Sequence, residues 1–199
     1  MAAEGAQAGE RVALFPLSVV LFPGGLLPLR IFEPRYQRMV SECLREQKPF
    51  AVAAIAEGPE AGGIAQTARS GTLARIIDWE QLDDGLLGLL CEGEQRFVLR
   101  DVEVERDRLL RARVVRLPRE APQPLPADLE WTAELLQQLL ERLGPPYERL
   151  NAAPISADHV AARLTEILPL PLGEKQALFD MPDGVARLRR LVELINPGD

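Results

Sequence analysis

Few side chains in this 199-residue sequence could do covalent chemistry. There is one histidine, His159, with two lysines, Lys48 and Lys175, and two cysteines, Cys43 and Cys91. A serine or thiol activated by imidazole would need that one histidine within reach. Its neighbours Ser156 and Asp158 instead read as residues of an ordinary first helical turn. A Ser–Lys pair would have to use Lys48 or Lys175, and neither stands in a recognisable motif. The cysteines lie far apart with no CxxC, so with one histidine they do not make a four-ligand zinc set, and both read as reduced core residues. No G-x-x-x-x-G-K-[ST] or G-x-G-x-x-G offers a phosphate cradle. Asp83-Asp84 precedes Gly85 as in a turn. The sequence predicts no catalytic residue, no metal and no cofactor.

Binding chemistry is better represented. Between Arg96 and Arg119 lie eight arginines against four carboxylates, Asp101, Glu103, Glu105 and Asp107. Opposite charges interleaved on neighbouring strands are expected to pair across a solvated sheet face. RNA binding by this hairpin is the alternative function. The whole chain carries 30 acidic and 23 basic residues, a formal charge of -7, which argues against nucleic acid and anionic membranes as general partners. A second feature is the apolar loop Val19, Val20, Leu21, Phe22 and Pro23, set between Pro16 and Gly25. Packing into the core is the plainer reading of these residues. Capture of unfolded or partly folded polypeptides is the functional one.

The elements that must carry these groups follow from periodicity and punctuation. Arg11–Phe15 and Leu26–Phe32 read as strands, with Pro28 favouring an edge position and both Leu29 and Phe32 expected in the core. Pro34 behind Glu33 starts a helix that runs to about Gln47 on the stripe Tyr36, Met39, Val40, Cys43 and Leu44. Strands are expected at 50–56, 72–79, 86–92, 95–105 and 109–117, with breaks at Asp83–Gly85, Cys91–Gly93 and Asp107, and a glycine-rich loop at 57–70. Four prolines between Pro118 and Ala127 make a stiff connector. Beyond it the period becomes helical, in segments at 128–143, 157–168, 172–181 and 183–195, with Ser156 as an N-cap. The expected organisation is a flexible start (1–10), a β-rich unit (11–117), the connector (118–127) and a helical bundle (128–199). The acidic, Ala/Gly-rich start is unlike a signal peptide, and no apolar run approaches a membrane span, so a cytoplasmic location is expected.

The run Leu14–Tyr36, LFPLSVVLFPGGLLPLRIFEPRY, resembles the opening of the N-terminal, substrate-binding domain of Lon proteases. The likeness continues through Gly71–Ile76, Gly93–Phe97 and Leu168–Leu178, and covers about residues 10–195. It implies an α+β fold, a PUA-like pseudo-barrel with one early helix followed by a helical bundle. It also implies recognition of polypeptides, with the groove between barrel and bundle as a second candidate site. The ATPase and Ser–Lys peptidase of full-length Lon find no counterpart in these residues. The expectation is therefore a stand-alone, non-catalytic recognition module or adaptor serving unfolded polypeptides or a dedicated protein partner. Within the motif, Gly24, Gly25, Glu33, Pro34, Arg35 and Tyr36 are expected to be structural, Glu33 and Arg35 bracing the strand-to-helix corner.

Overall fold

In a computed structural model the described residues are 9–60, 63 and 65–196. Seven strands come first: β1 (Glu10–Leu17), β2 (Leu26–Ile31), β3 (Phe50–Glu57), β4 (Gln66–Thr67), β5 (Ser70–Gln81), β6 (Leu87–Val104) and β7 (Leu110–Arg116). Helix α1 (Pro34–Glu46) lies between β2 and β3. Four more α-helices follow, α2 (Trp131–Leu143), α3 (Ala157–Ile167), α4 (Leu172–Asp180) and α5 (Gly184–Ile195), with 3-10 turns at Ala127–Leu129 and Tyr147–Ala152.

The sheet is mostly antiparallel, and its pairings return on themselves. β1 bonds antiparallel to β7 and parallel to β3, while β3–β5, β5–β6 and β6–β7 complete the circuit. Strands enclosed in this way bury both faces, so β1 from Val12 to Leu17 and β3 from Phe50 to Ala54 are apolar without alternation. Phe15, Leu17, Phe50 and Val52 pack with Tyr36, Met39 and Val40 of α1. The opposite face gathers Leu14, Ala51, Leu73, Phe97 and Val114.

Among the described residues β2 pairs with β6 alone, and there Pro28 stands exposed on an edge strand, where its missing donor costs no ladder bond. Besides the short strand β4 inside the segment expected as loop, two expectations need correction. The first is the break at Cys91–Gly93, since β6 runs unbroken from Leu87 to Val104. A side chain on Gly93 would run into the Phe22 carbonyl, so this glycine serves a close approach and not a turn. The second is Phe32, which lies just past β2 and is 57% exposed, outside the core. Leu29 packs part-buried against the α1-side core.

Among the C-terminal helices the apolar stripes converge. Leu136 and Leu140 of α2, Val160 and Leu164 of α3, Leu178 of α4, and Leu188 and Leu191 of α5 form one core. Leu26, Ile77 and Leu90 from the sheet pack into it. Ser156 caps α3 by accepting the His159 N–H at 3.1 Å, and Asp183 caps α5 through the Ala186 N–H at 2.7 Å.

Candidate functional site

The residues with chemical potential are in structural service. Burial pushes the Cys43 thiol up to about 11 and the Cys91 thiol up to about 12, which keeps both protonated. Lys175 donates from Nζ to the Glu166 carbonyl at 2.8 Å, satisfying a group at the end of α3. His159 is part-buried, and burial, with Arg163 nearby, holds it down at about 4, so it is neutral at pH 7.

The apolar loop is not an exposed cluster. Val20, Leu21 and Phe22 are buried, and only Val19 and Pro23 reach the surface. The loop is held from several sides. Thr72 donates its hydroxyl to the Leu21 carbonyl at 2.5 Å, and Gly24 and Gly93 exchange backbone contacts with the turn through Gly24 N–H to Gly93 O (2.7 Å) and Gly93 N–H to Gly25 O (2.9 Å). Gly24 takes φ +73°, a left-handed value that suits glycine. The Phe22 ring meets Phe179 edge-on at 5.0 Å, with the Arg187 guanidinium 5.1 Å from its centre.

A charged pair in α3 completes the seam, and sequence reasoning missed it. Glu166 Oε1 accepts the Phe22 N–H at 2.7 Å, and Arg163 donates to the Pro23 carbonyl at 3.1 Å and to Glu166 at 3.2 Å. Arg163 is 1% exposed; its Nε lies 3.2 Å from Glu166 Oε2 as an ion pair, and among the described residues neither that Nε nor one Nη makes a hydrogen bond. Burial raises Glu166 to about 7 despite the opposing pull of Arg163, the Phe22 N–H and Lys175. The one available signal was position: Arg163 follows Val160 by three residues on the apolar stripe of α3. Arg187 is buried likewise and donates to the Leu178 carbonyl (3.0 Å) and to Glu120 (3.2 Å).

Glu33, Pro34, Arg35 and Tyr36 meet at the β2–α1 corner. Pro34 begins the helix, and Arg35 pairs with Glu33 at 2.9 Å while donating to the Gly63 and Arg108 carbonyls. Its guanidinium stands 4.7 Å from the Tyr36 ring, which itself stacks on Phe15 at 3.9 Å.

The Arg96–Arg119 hairpin keeps many of its cations occupied. Arg96 pairs with Glu120, Arg111 with Glu105 (2.9 Å) and Glu42 (2.5 Å), Arg113 with Asp101 (3.3 Å), and Arg116 with Glu10 (2.9 Å).

Two cavities open between sheet and helices. The larger, about 950 Å³, lies where β2, β5 and β6 face the turn at Pro145 and Pro146. Pro28, Leu90 and Leu82 give it an apolar lining, and exposed Trp79 stands at its border. The smaller, about 470 Å³, brings Pro23 together with Arg96, Glu120, His159 and Arg187. Among the described residues, no helix is long and apolar enough to cross a membrane.

This architecture has known relatives. The chain is 30% identical over 195 residues to the Lon protease of Phenylobacterium zucineum, which covers 92% of this chain and 24% of that protein. It is 32% identical over 113 residues to protein cereblon of Danio rerio, covering 55% of this chain and 26% of the relative. The chain thus spans about a quarter of the length of these relatives. A solved Lon N-terminal domain protein from Xanthomonas campestris superposes with a TM-score of 0.74 at 30% identity, covering 92% of this chain and 97% of that one. The family described as the ATP-dependent protease La (LON) substrate-binding domain matches residues 11–197. By sequence and fold together, the chain belongs to the family of Lon substrate-binding domains.

Proposed function

We propose that this chain is a non-catalytic polypeptide-recognition module, acting as an adaptor or substrate-binding protein for unfolded or partly folded chains or for a dedicated protein partner. The observation that carries this reading is the family match across residues 11–197. In this reading β1–β7 form a PUA-like pseudo-barrel, residues 128–199 a helical bundle, and residues 118–127 the connector, with the module working in the cytoplasm. The larger cavity at the seam is the polypeptide site, because it combines apolar lining with open access. Val19 and Pro23 add surface contacts at the loop, while Val20, Leu21 and Phe22 hold it in place from beneath.

The non-catalytic reading is supported by Lys175, which caps the end of α3, and by the burial that keeps both cysteines protonated. RNA binding is not favoured, since the chain carries a formal charge of -7 and four of the eight hairpin arginines, Arg96, Arg111, Arg113 and Arg116, are paired with carboxylates. The test is fluorescence anisotropy of a labelled, permanently unfolded protein against the full chain. Saturable binding supports the reading, and no binding to any unfolded chain in a varied panel refutes it.

A further inference from the structure

The larger cavity has a charge as well as an apolar lining. Four carboxylates, Asp78, Glu80, Asp83 and Asp84, border it against two guanidiniums, Arg30 and Arg149. Arg30 is spent on Asp84. Arg149 donates to the Pro146 carbonyl at 3.2 Å and pairs with no carboxylate among the described residues. Asp78, Glu80 and Asp83 enter no ion pair among the described residues, and all three are exposed. Asp78 accepts the Trp79 N–H at 2.9 Å, which fixes it without neutralising it. The β-ladder puts Glu80 beside Gly88, and Asp78 beside Leu90, so the acids rise from the strand rows that carry the groove's floor.

Main-chain groups are available at the same place. β2 pairs only with β6, and β5 beyond Ala74 also pairs only with β6, so both strands bordering the groove keep an edge without a partner strand among the described residues. Unpaired strand edges bind extended polypeptide by backbone hydrogen bonds, which a compact small molecule would not use.

We infer that the groove selects polypeptide segments in which an apolar stretch is flanked by lysine or arginine. The apolar stretch covers Pro28, Leu82 and Leu90, and the flanking cations meet Glu80, Asp83 and Asp78. The acidic border also discriminates against acid-flanked segments by repulsion, which makes it a specificity device as much as an attraction. This inference rests on the polypeptide-recognition reading above and narrows its substrate class.

The test uses two short labelled peptides with one shared apolar core, flanked by lysines in one and by glutamates in the other, together with a labelled unfolded protein as a control. Wild type should prefer the lysine-flanked peptide by about tenfold at low salt, with the preference shrinking as salt screens the border. Glu80→Lys with Asp83→Lys should abolish or reverse that preference, and Glu80→Gln with Asp83→Asn should reduce it. Both pairs change exposed, unpaired side chains, and an unchanged urea midpoint verifies their folding. Equal affinity for both peptides, unaffected by either pair, overturns the inference and leaves the broader reading standing if the unfolded protein still binds. Failure of all three probes overturns both. A wild-type dimer in sedimentation that the lysine pair dissociates also overturns the inference, because the groove would then belong to a second copy of the chain.

Discussion

Glu166 on α3 accepts the backbone N–H of Phe22, 144 positions earlier in the chain, at 2.7 Å. That bond fastens the apolar loop before β2 to the helical half of the molecule, with Arg163 held between them on the Pro23 carbonyl. Removing Glu166 leaves a buried guanidinium uncompensated and the Phe22 amide without its acceptor. Glu166→Ala is expected to cost about 3–5 kcal/mol. Glu166→Gln keeps an acceptor for the Phe22 amide but not the charge facing Arg163, and is expected to cost less than Glu166→Ala. Urea denaturation of both variants beside wild type measures the difference.

The same carboxyl gives a pH signature. Its folded value, about 7, lies above the ordinary 4.5, so the folded state holds the proton more tightly than the unfolded one. The resulting stabilisation is fully present below about pH 4.5 and is lost as pH rises through 7. His159 acts in the opposite sense. Depressed from 6.5 to about 4, it contributes stability above 6.5 that is lost as pH falls through 4. Urea midpoints between pH 4 and 8 should show Glu166→Gln removing the decline toward 7, and His159→Gln removing the loss below 6.5. Parallel profiles for both variants and wild type would contradict these assignments.

Two phenylalanines of the motif should behave differently. Phe22 is 2% exposed and packs against Phe179, so Phe22→Ala is expected to cost about 3–5 kcal/mol. Phe32 is largely solvated, and Phe32→Ala should stay within about 0.5 kcal/mol of wild type. Thermal or urea unfolding distinguishes the two.

Adjacent glycines should separate by mechanism. Gly24 has open space around a Cβ but a left-handed φ, so Gly24→Ala should cost about 1 kcal/mol from backbone strain alone. At Gly25 a Cβ would run into the Glu166 carboxylate and Arg163, so Gly25→Ala should cost more and should lose part of its effect in a Glu166→Ala background. A double-mutant cycle in urea reads this coupling.

Much of the scaffold was legible because local rules and tertiary packing agree. Pro34 behind Glu33 and the stripe Tyr36, Met39 and Val40 define α1, and Ser156 marks the start of α3 for reasons internal to each segment. Gly93 misled because a glycine admitting a distant backbone looks in sequence like a glycine making a turn. The 57–70 segment, expected as loop, contains the two-residue strand β4, whose pairing with β3 has no periodic signal to announce it. Phe32 misled because an apolar residue in a strand-like run does not reveal where the ladder stops. The lining of the groove and the Arg163–Glu166 pair were the least legible. Each depends on groups far apart in sequence, and a buried charge is recognisable only once its partner is in place.

Recognition of unfolded polypeptide without cleavage is the property on which the proposed function stands. The most direct measurement incubates the full chain with one labelled protein in its native and its permanently unfolded form, reading anisotropy and substrate length in the same samples. Saturable binding of the unfolded form, little binding of the native form, and substrate of unchanged length are expected. Equal binding of both forms, no binding of either, or time-dependent fragments that the purified chain itself generates would contradict the proposed function.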